Sequence, residues 1–115
     1  MEVRARLQNF RVSPHKARLV VDEIRGKGVD DALTILDFST KGFAKPLAKL
    51  VRSALANAED RNNVKKAGID LDNLVVERIH VDQGASNWRI RARAQGRAAW
   101  INHRTSNISV TLAER

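Results

Sequence analysis

From Gln83 to Ala113 the chain contains no aspartate or glutamate, yet it carries Arg89, Arg91, Arg93, Arg97 and Arg104. The first three alternate with Ile90, Ala92 and Ala94, which is the period of a strand, so they are expected to project from one face about 7 Å apart. Gln95-Gly96 is the expected turn, because glycine adopts the positive φ that a tight hairpin needs. A two-residue turn there pairs Ala94 with Arg97, Ala92 with Ala99, and Ile90 with Ile101. Carried back unbroken, it pairs Val81 with Val110 and Ile79 with Leu112. Apolar residues then meet at the base, whereas a one-residue slip would set Val81 against Thr111. The expectation is one long continuous hairpin.

The outer part of this hairpin has no visible means of burial. From Gly84 to the tip is roughly 11 residues, or about 35 Å of strand. A lone two-stranded ribbon is marginal in water, and unpaired arginines along it repel one another. A polyanion around the arm resolves both problems, and the arm is expected to be mobile without it. The whole composition agrees: 21 Lys+Arg against 13 Asp+Glu give a formal charge of +8, and cations binding a nucleic acid release its counterions. Both tryptophans, Trp88 and Trp100, also lie on the arm. Three roles are open to them: stacking on exposed bases, holding a guanidinium, since this register sets Arg91 opposite Trp100, or packing on their own ribbon or on the body.

The remainder reads as a small body. Val3, Ala5 and Leu7 alternate with Glu2, Arg4, Arg6 and Gln8, predicting a strand with a largely basic second face. Ser13-Pro14 opens a helix whose apolar face is Ala17, Val20, Val21 and Ile24, with Arg18 and Arg25 on the other side; Gly26-Lys27-Gly28 ends it. A second, short helix follows, with Asp30 and Asp31 at its start and Val29, Ala32, Leu33 and Leu36 buried. The third and longest is expected to begin at a Ser39-Thr40 cap, or nearer Phe43 because of Pro46. Phe43, Leu47, Leu50, Val51, Ala54 and Ala58 face inward, and Lys41, Lys45, Lys49 and Arg52 form a basic stripe. Residues 59–70 read as a loop. The expected fold is α+β: three helices on a small antiparallel sheet of about three strands, with a protruding β-hairpin arm. One domain spans 1–115, with the arm at residues 84–104.

Several function classes are excluded or weakened. There is no cysteine, which rules out disulfides and thiolate metal sites and fits a reducing, cytoplasmic setting. No segment approaches the ~20 apolar residues of a membrane span, and Met1–Phe10 lacks the apolar run of a signal peptide. His15, His80 and His103 are scattered, without acidic neighbours at metal-ligand spacing, so no metal or cofactor is expected. Gly26-Lys27-Gly28 is too short for a phosphate-binding loop, and no nucleophile–base arrangement supports an enzyme. A DNA-bending protein also uses basic β-arms, but the Gln95-Gly96 tip lacks the apolar wedge such arms insert.

Four ordered blocks resemble one family, the bacterial form of large-subunit ribosomal protein twenty-two. They are Ser13-Pro14-His15-Lys16-Ala17-Arg18-Leu19-Val20 with Ile24-Arg25-Gly26-Lys27; Lys49-Leu50-Val51-Arg52-Ser53-Ala54 with Ala56-Asn57-Ala58-Glu59; Arg93-Ala94-Gln95-Gly96-Arg97-Ala98; and Arg104-Thr105-Ser106-Asn107-Ile108. The resemblance covers essentially the whole chain. It implies a body near the exit of the peptide tunnel, a hairpin threading between domains of large-subunit ribosomal RNA, and a role in subunit assembly. The tip, Arg93, Ala94, Gln95, Gly96, Arg97 and Ala98, would line the tunnel and meet the nascent peptide. Partners would be that RNA and neighbouring ribosomal proteins, with no membrane and no homo-oligomer. The expected RNA-contacting residues are Arg11, Lys16, Arg18, Arg25 and Lys27 around the first helix, and Lys41, Lys45, Lys49 and Arg52 around the third. On the arm they are Trp88, Arg89, Arg91, Arg93, Arg97, Trp100, His103 and Arg104. The sequence departs from the family at His15, at Trp88 and Trp100 where lysine or arginine is common, and at Ala99.

Overall fold

Ser13 opens the first helix as expected: its hydroxyl accepts from the Lys16 N–H at 3.4 Å, and Pro14 takes the first helical position. The computed structural model describes residues 2–66 and 68–114. In chain order the elements are β1 Glu2–Phe10, α1 Pro14–Ile24, α2 Val29–Asp37, α3 Ala44–Lys65, β2 Leu74–Gln83, β3 Asn87–Ala92, β4 Ala98–His103 and β5 Ser106–Glu114. β1, β5 and β2 form an antiparallel sheet in that order, and β3 with β4 forms a separate two-stranded ribbon. The fold is the expected α+β arrangement.

Alternation decides which face of the sheet is covered. Val3 and Ala5 of β1, Ile108, Val110 and Leu112 of β5, and Val76, Ile79 and Val81 of β2 are buried. They share one core with Ala17, Val20, Val21 and Ile24 of α1, Ala32 and Leu36 of α2, and Leu47, Val51, Ala54 and Ala58 of α3. β2 is an edge strand, and α1 covers that edge. Arg18 Nη2 donates to the Val81 carbonyl and Arg25 Nη2 to the Ile79 carbonyl, each at 2.9 Å. Beyond the helix, Gly26 N–H donates to Val76 O and Val76 N–H to Lys27 O, both at 2.8 Å. Backbone groups that would template pairing with another chain are thereby occupied.

The third helix starts beside Phe43, the later of the two expected starts, and differs from the expectation at its far end. It begins at Ala44 with no side-chain cap from Phe43, so Pro46 falls in the first turn, where its missing N–H would have had no helical partner anyway. It continues to Lys65 instead of stopping near Ala58. Two tertiary attachments hold this polar last stretch. Arg61 Nη1 donates to Glu2 O at 2.7 Å. The Asn62 carboxamide exchanges two hydrogen bonds with the Ile69 backbone, at 2.7 and 2.8 Å.

The hairpin register also differs, in a specific way. Gln95 (φ 61°, ψ 35°) and Gly96 (φ 71°) are both left-handed, as the inverse turn of a two-residue hairpin requires. The turn is therefore where the sequence puts it. Arg97, however, answers two residues: Arg93 N–H donates to Arg97 O at 2.6 Å, and Arg97 N–H to Ala94 O at 3.4 Å. This bulge shifts the arm by one residue, so Ala92 pairs with Ala98 and Ile90 with Trp100, not Ile101. At the root a second offset follows. Between the Gly84–Thr105 hydrogen bond and the Asn87–His103 pair, Ala85 and Ser86 stand against Arg104 alone. The offsets sum to two residues, so Val81 meets Ile108 and Ile79 meets Val110. An even shift restores the same faces, which is why the body keeps its apolar pairing while the arm reverses its own. The hairpin is thus two ladders joined by a bulged root, not one continuous ladder.

Gly84 fixes that root. A Cβ there would lie 2.5 Å from Thr105 Oγ1, and that hydroxyl donates to the Ala85 carbonyl at 2.6 Å. Gly84→Ala is expected to displace the threonine, break this bond and lower stability by about 1 kcal/mol. Thermal unfolding followed by circular dichroism checks the loss; an unchanged midpoint would show that the root absorbs a methyl group.

Candidate RNA interface

Pairing register sorts the arm into two chemically distinct faces. Residues directly opposite one another share a face. Arg89 lies opposite Ile101 and Arg91 opposite Ala99, with Asn87 and His103 nearer the root. Ile101 and Ala99 are half-buried, whereas Arg89 and Arg91 are exposed. On the other face Trp88 pairs with Asn102, Ile90 with Trp100, and Ala92 with Ala98. Trp88, Ile90 and Trp100 are 61%, 62% and 66% exposed, forming a contiguous apolar surface that nothing in the body covers. The expected Arg91–Trp100 pairing is therefore corrected: the bulge at Arg93-Ala94 moves the guanidinium and the indole to opposite sides.

The arm reaches well beyond the body. The molecule measures 65 × 27 × 16 Å with a radius of gyration of 17.4 Å, against about 13 Å for a compact chain of this length. Among the described residues the ion pairs are Arg4–Glu2, Arg25–Asp22, Arg52–Asp37 and Arg78–Glu2. None involves Arg89, Arg91, Arg93, Arg97 or Arg104, so the charge of the arm is left for an external anion. The tip residues, Arg93 to Ala98, are all exposed.

The expected cations of the body fall into three groups. Arg11 and Lys16 join Arg89, His103 and Arg104 around a cleft of about 700 Å³ at the arm root. Lys45 and Lys49 of α3 rim a shallow groove floored by Leu7, Phe10 and Leu50; Lys41 precedes that helix and is exposed, as is Lys27. Arg18, Arg25 and Arg52 are engaged within the fold. The first two hold the edge of β2, Arg25 also pairs with Asp22 at 2.7 Å, and Arg52 lies 3.2 Å from both oxygens of Asp37. Arg52 thus leaves the lysine stripe to tie α3 to α2.

Sequence reasoning left out a further basic surface, the open face of the sheet. Arg4 and Arg78 both stand opposite Thr111, one on each side of β5, and Arg6 and His80 both stand opposite Ser109. Glu2 Oε1 reaches across to Arg78 Nη2 at 2.6 Å and its Oε2 lies 3.3 Å from Arg4 Nη2. The Arg4 hydrogen bond, opposed by desolvation and aided by the charges of Arg78 and Arg4 and the hydrogen bond from Arg78, holds the Glu2 carboxyl below its ordinary range. Arg6 makes no ion pair among the described residues. The basic even face of β1 was the available signal; Arg78 and His80 needed the register of β2. No group of three His, Asp or Glu side chains among the described residues is placed to hold a metal. Among the described residues no helix is long and apolar enough to cross a membrane.

Comparison with known proteins identifies the family. The family model for ribosomal protein L22p/L17e matches residues 5–113. The large ribosomal subunit protein uL22 of Syntrophus aciditrophicus is 51% identical over 115 residues, covering 100% of both chains. That of Geobacter sulfurreducens is 50% identical over 115 residues, covering 100% of this chain and 99% of its own. That of Desulfitobacterium hafniense is 46% identical over 114 residues, covering 99% and 96%. With a family model matched along nearly its whole length and relatives about half identical from end to end, this chain belongs to the ribosomal protein L22p/L17e family.

Proposed function

We propose that the chain is a structural constituent of the large ribosomal subunit, working in the cytoplasmic ribosome, and that it binds large-subunit ribosomal RNA through its arm and the basic surfaces beside it. One observation carries the reading. The arm extends from the body with no acidic residue and no internal ion pair among those described, so its stable state is one surrounded by polyanion. Its mechanism is not catalytic. Phosphates neutralise Arg89, Arg91, Arg93, Arg97 and Arg104 and release their counterions, and ordering the arm between RNA segments ties them together during assembly. Trp88 and Trp100 offer flat surfaces to unpaired bases. Arg11, Lys16, Lys27, Lys41, Lys45, Lys49 and His103 extend the contact over the body, and Arg18, Arg25 and Arg52 add their outward N–H groups.

Within the subunit, the tip Arg93–Ala98 lines the nascent-peptide tunnel, and the body lies beside neighbouring ribosomal proteins near its exit. The family resemblance supports this placement, as does the position of the tip at the far end of an elongated molecule. Ultraviolet crosslinking in living cells tests it. Crosslinks are expected on several separated domains of large-subunit RNA, with the tip peptide attached near the tunnel wall. Crosslinks scattered over messenger RNA, or recovery of DNA alone, would overturn the proposal.

A further inference from the structure

The outer edge of β1 is sealed along only part of its length. The Arg61 guanidinium donates to Glu2 O at 2.7 Å and the Asn57 carboxamide to Arg4 O at 3.0 Å, so the backbone groups of these even-numbered residues point away from β5. By the same alternation the Arg6 N–H and C=O point outward, and neither has a hydrogen-bond partner among the described residues. Asn57 and Arg61 belong to a row that recurs every four residues along α3. Ser53 is next in that row and makes no such bond among the described residues. Beside Arg6 the sealed edge gives way to the groove between β1 and the first half of α3, about 640 Å³ in volume. Leu7, Phe10, Pro46 and Leu50 make its floor apolar, Lys45 and Lys49 stand on its rim, and no carboxylate lines it.

An open strand edge beside an apolar groove is the arrangement that accepts an extended peptide as an added strand. Main-chain hydrogen bonds hold such a peptide, and the groove takes its alternate side chains. A phosphodiester backbone has no N–H and C=O pair to exchange with that of Arg6, and burying its charge against an apolar floor is costly. The charges fix the rest of the occupant. Arg6 is exposed and makes no ion pair among the described residues, and Lys45 and Lys49 are likewise exposed and unpaired there. Three cations with no acid among them call for carboxylates.

We infer that the edge of β1 at Arg6, with this groove, docks another protein through an extended segment in which apolar and acidic residues alternate. The segment's backbone exchanges hydrogen bonds with Arg6, and its apolar side chains enter the groove. Its carboxylates alternate onto the other face beside the Arg6 guanidinium, with Lys45 and Lys49 attracting them from the rim. The inference goes beyond the RNA-binding reading and does not depend on it; it turns these two lysines from phosphate toward a protein partner.

The test is nuclear magnetic resonance on the full chain, titrated separately with three probes: a capped peptide alternating valine with glutamate, the same peptide with lysine in place of glutamate, and tetrauridylate. The glutamate peptide is expected to shift the Leu7 and Leu50 methyl signals saturably and to slow hydrogen exchange at the Arg6 amide, which becomes a ladder donor. The lysine peptide should bind about tenfold more weakly, since like charges then face one another. Tetrauridylate should leave the Leu7 and Leu50 signals in place. Arg6→Glu, Lys45→Glu and Lys49→Glu combined should exchange the preference between the two peptides; all three side chains are exposed, so the body should stay folded. Equal affinity for the two peptides, unchanged exchange at the Arg6 amide at saturation, or no saturable shift at Leu7 and Leu50 would each overturn the inference. If tetrauridylate moves the same methyl signals, the groove belongs to RNA; the docking inference then falls while the RNA-binding reading stands.

Discussion

Replacing Arg89, Arg91 and Arg93 together with alanine is expected to leave the body folded while large-subunit assembly slows and RNA binding loses much of its salt dependence. The first half follows from the separation of arm and body. All three side chains are exposed, none joins an ion pair among the described residues, and none touches the core formed by the main sheet and three helices. Thermal unfolding should therefore stay within about 0.5 kcal/mol of the unmodified protein, as exposed substitutions usually do. The second half follows from counterion release. Removing one cation from a phosphate lowers the steepness of log K against log salt by about 0.7–0.9, so the triple variant should lose about 2–3 units of slope. Precursor particles should accumulate on sucrose gradients. Normal gradient profiles together with an unchanged slope would show that the arm is not the electrostatic anchor.

That experiment relies on a face assignment that the sequence conveyed only in part. Alternation along Arg89, Ile90, Arg91 and Ala92 correctly separates the arginines from their neighbours within one strand. Which residues of the return strand join them depends on bulges, and a bulge leaves no side-chain signature. Ala85-Ser86 against Arg104, and Arg93-Ala94 against Arg97, look like ordinary strand residues until the ladder is drawn. The body survived the same error because its two single-residue offsets sum to an even number. Helical periodicity found α1 and most of α3, since the buried stripe itself generates the signal. It missed residues 59–65 because they are held by Arg61 and Asn62 reaching the backbone of Glu2 and Ile69, contacts that no local pattern encodes. Arg18 and Arg25 illustrate a related limit. They do lie on the outer side of α1, but their length lets them reach the carbonyls of an edge strand more than fifty residues away in sequence.

The reversed arm makes the tryptophans, more than the arginines, the informative pair. Had Trp100 faced Arg91, its ring would have been occupied by a cation. On the opposite face it lies beside Ile90 and diagonal to Trp88, within reach of that side chain, and both indoles are open to solvent. These are the only tryptophans in the chain, so intrinsic fluorescence reports on this surface alone. Emission from the free protein should be characteristic of water-exposed indole and accessible to a neutral quencher; binding large-subunit RNA should quench the emission and shield both rings. Base–aromatic stacking contributes about 1–3 kcal/mol per base, so Trp88→Ala with Trp100→Ala should weaken binding by roughly tenfold to a hundredfold for each ring that stacks. The salt slope should hardly change, because no charge is removed. Trp88→Arg with Trp100→Arg supplies the opposing case. It exchanges stacking for charge, and should restore affinity at low salt, steepen the slope by up to about two units, and fail at high salt where the stacked protein still binds. If the alanine pair binds as tightly as the unmodified protein, or if emission is indifferent to RNA, the indoles are not a base-stacking surface. If stacking holds, these two positions give an otherwise salt-sensitive arm a salt-resistant contact.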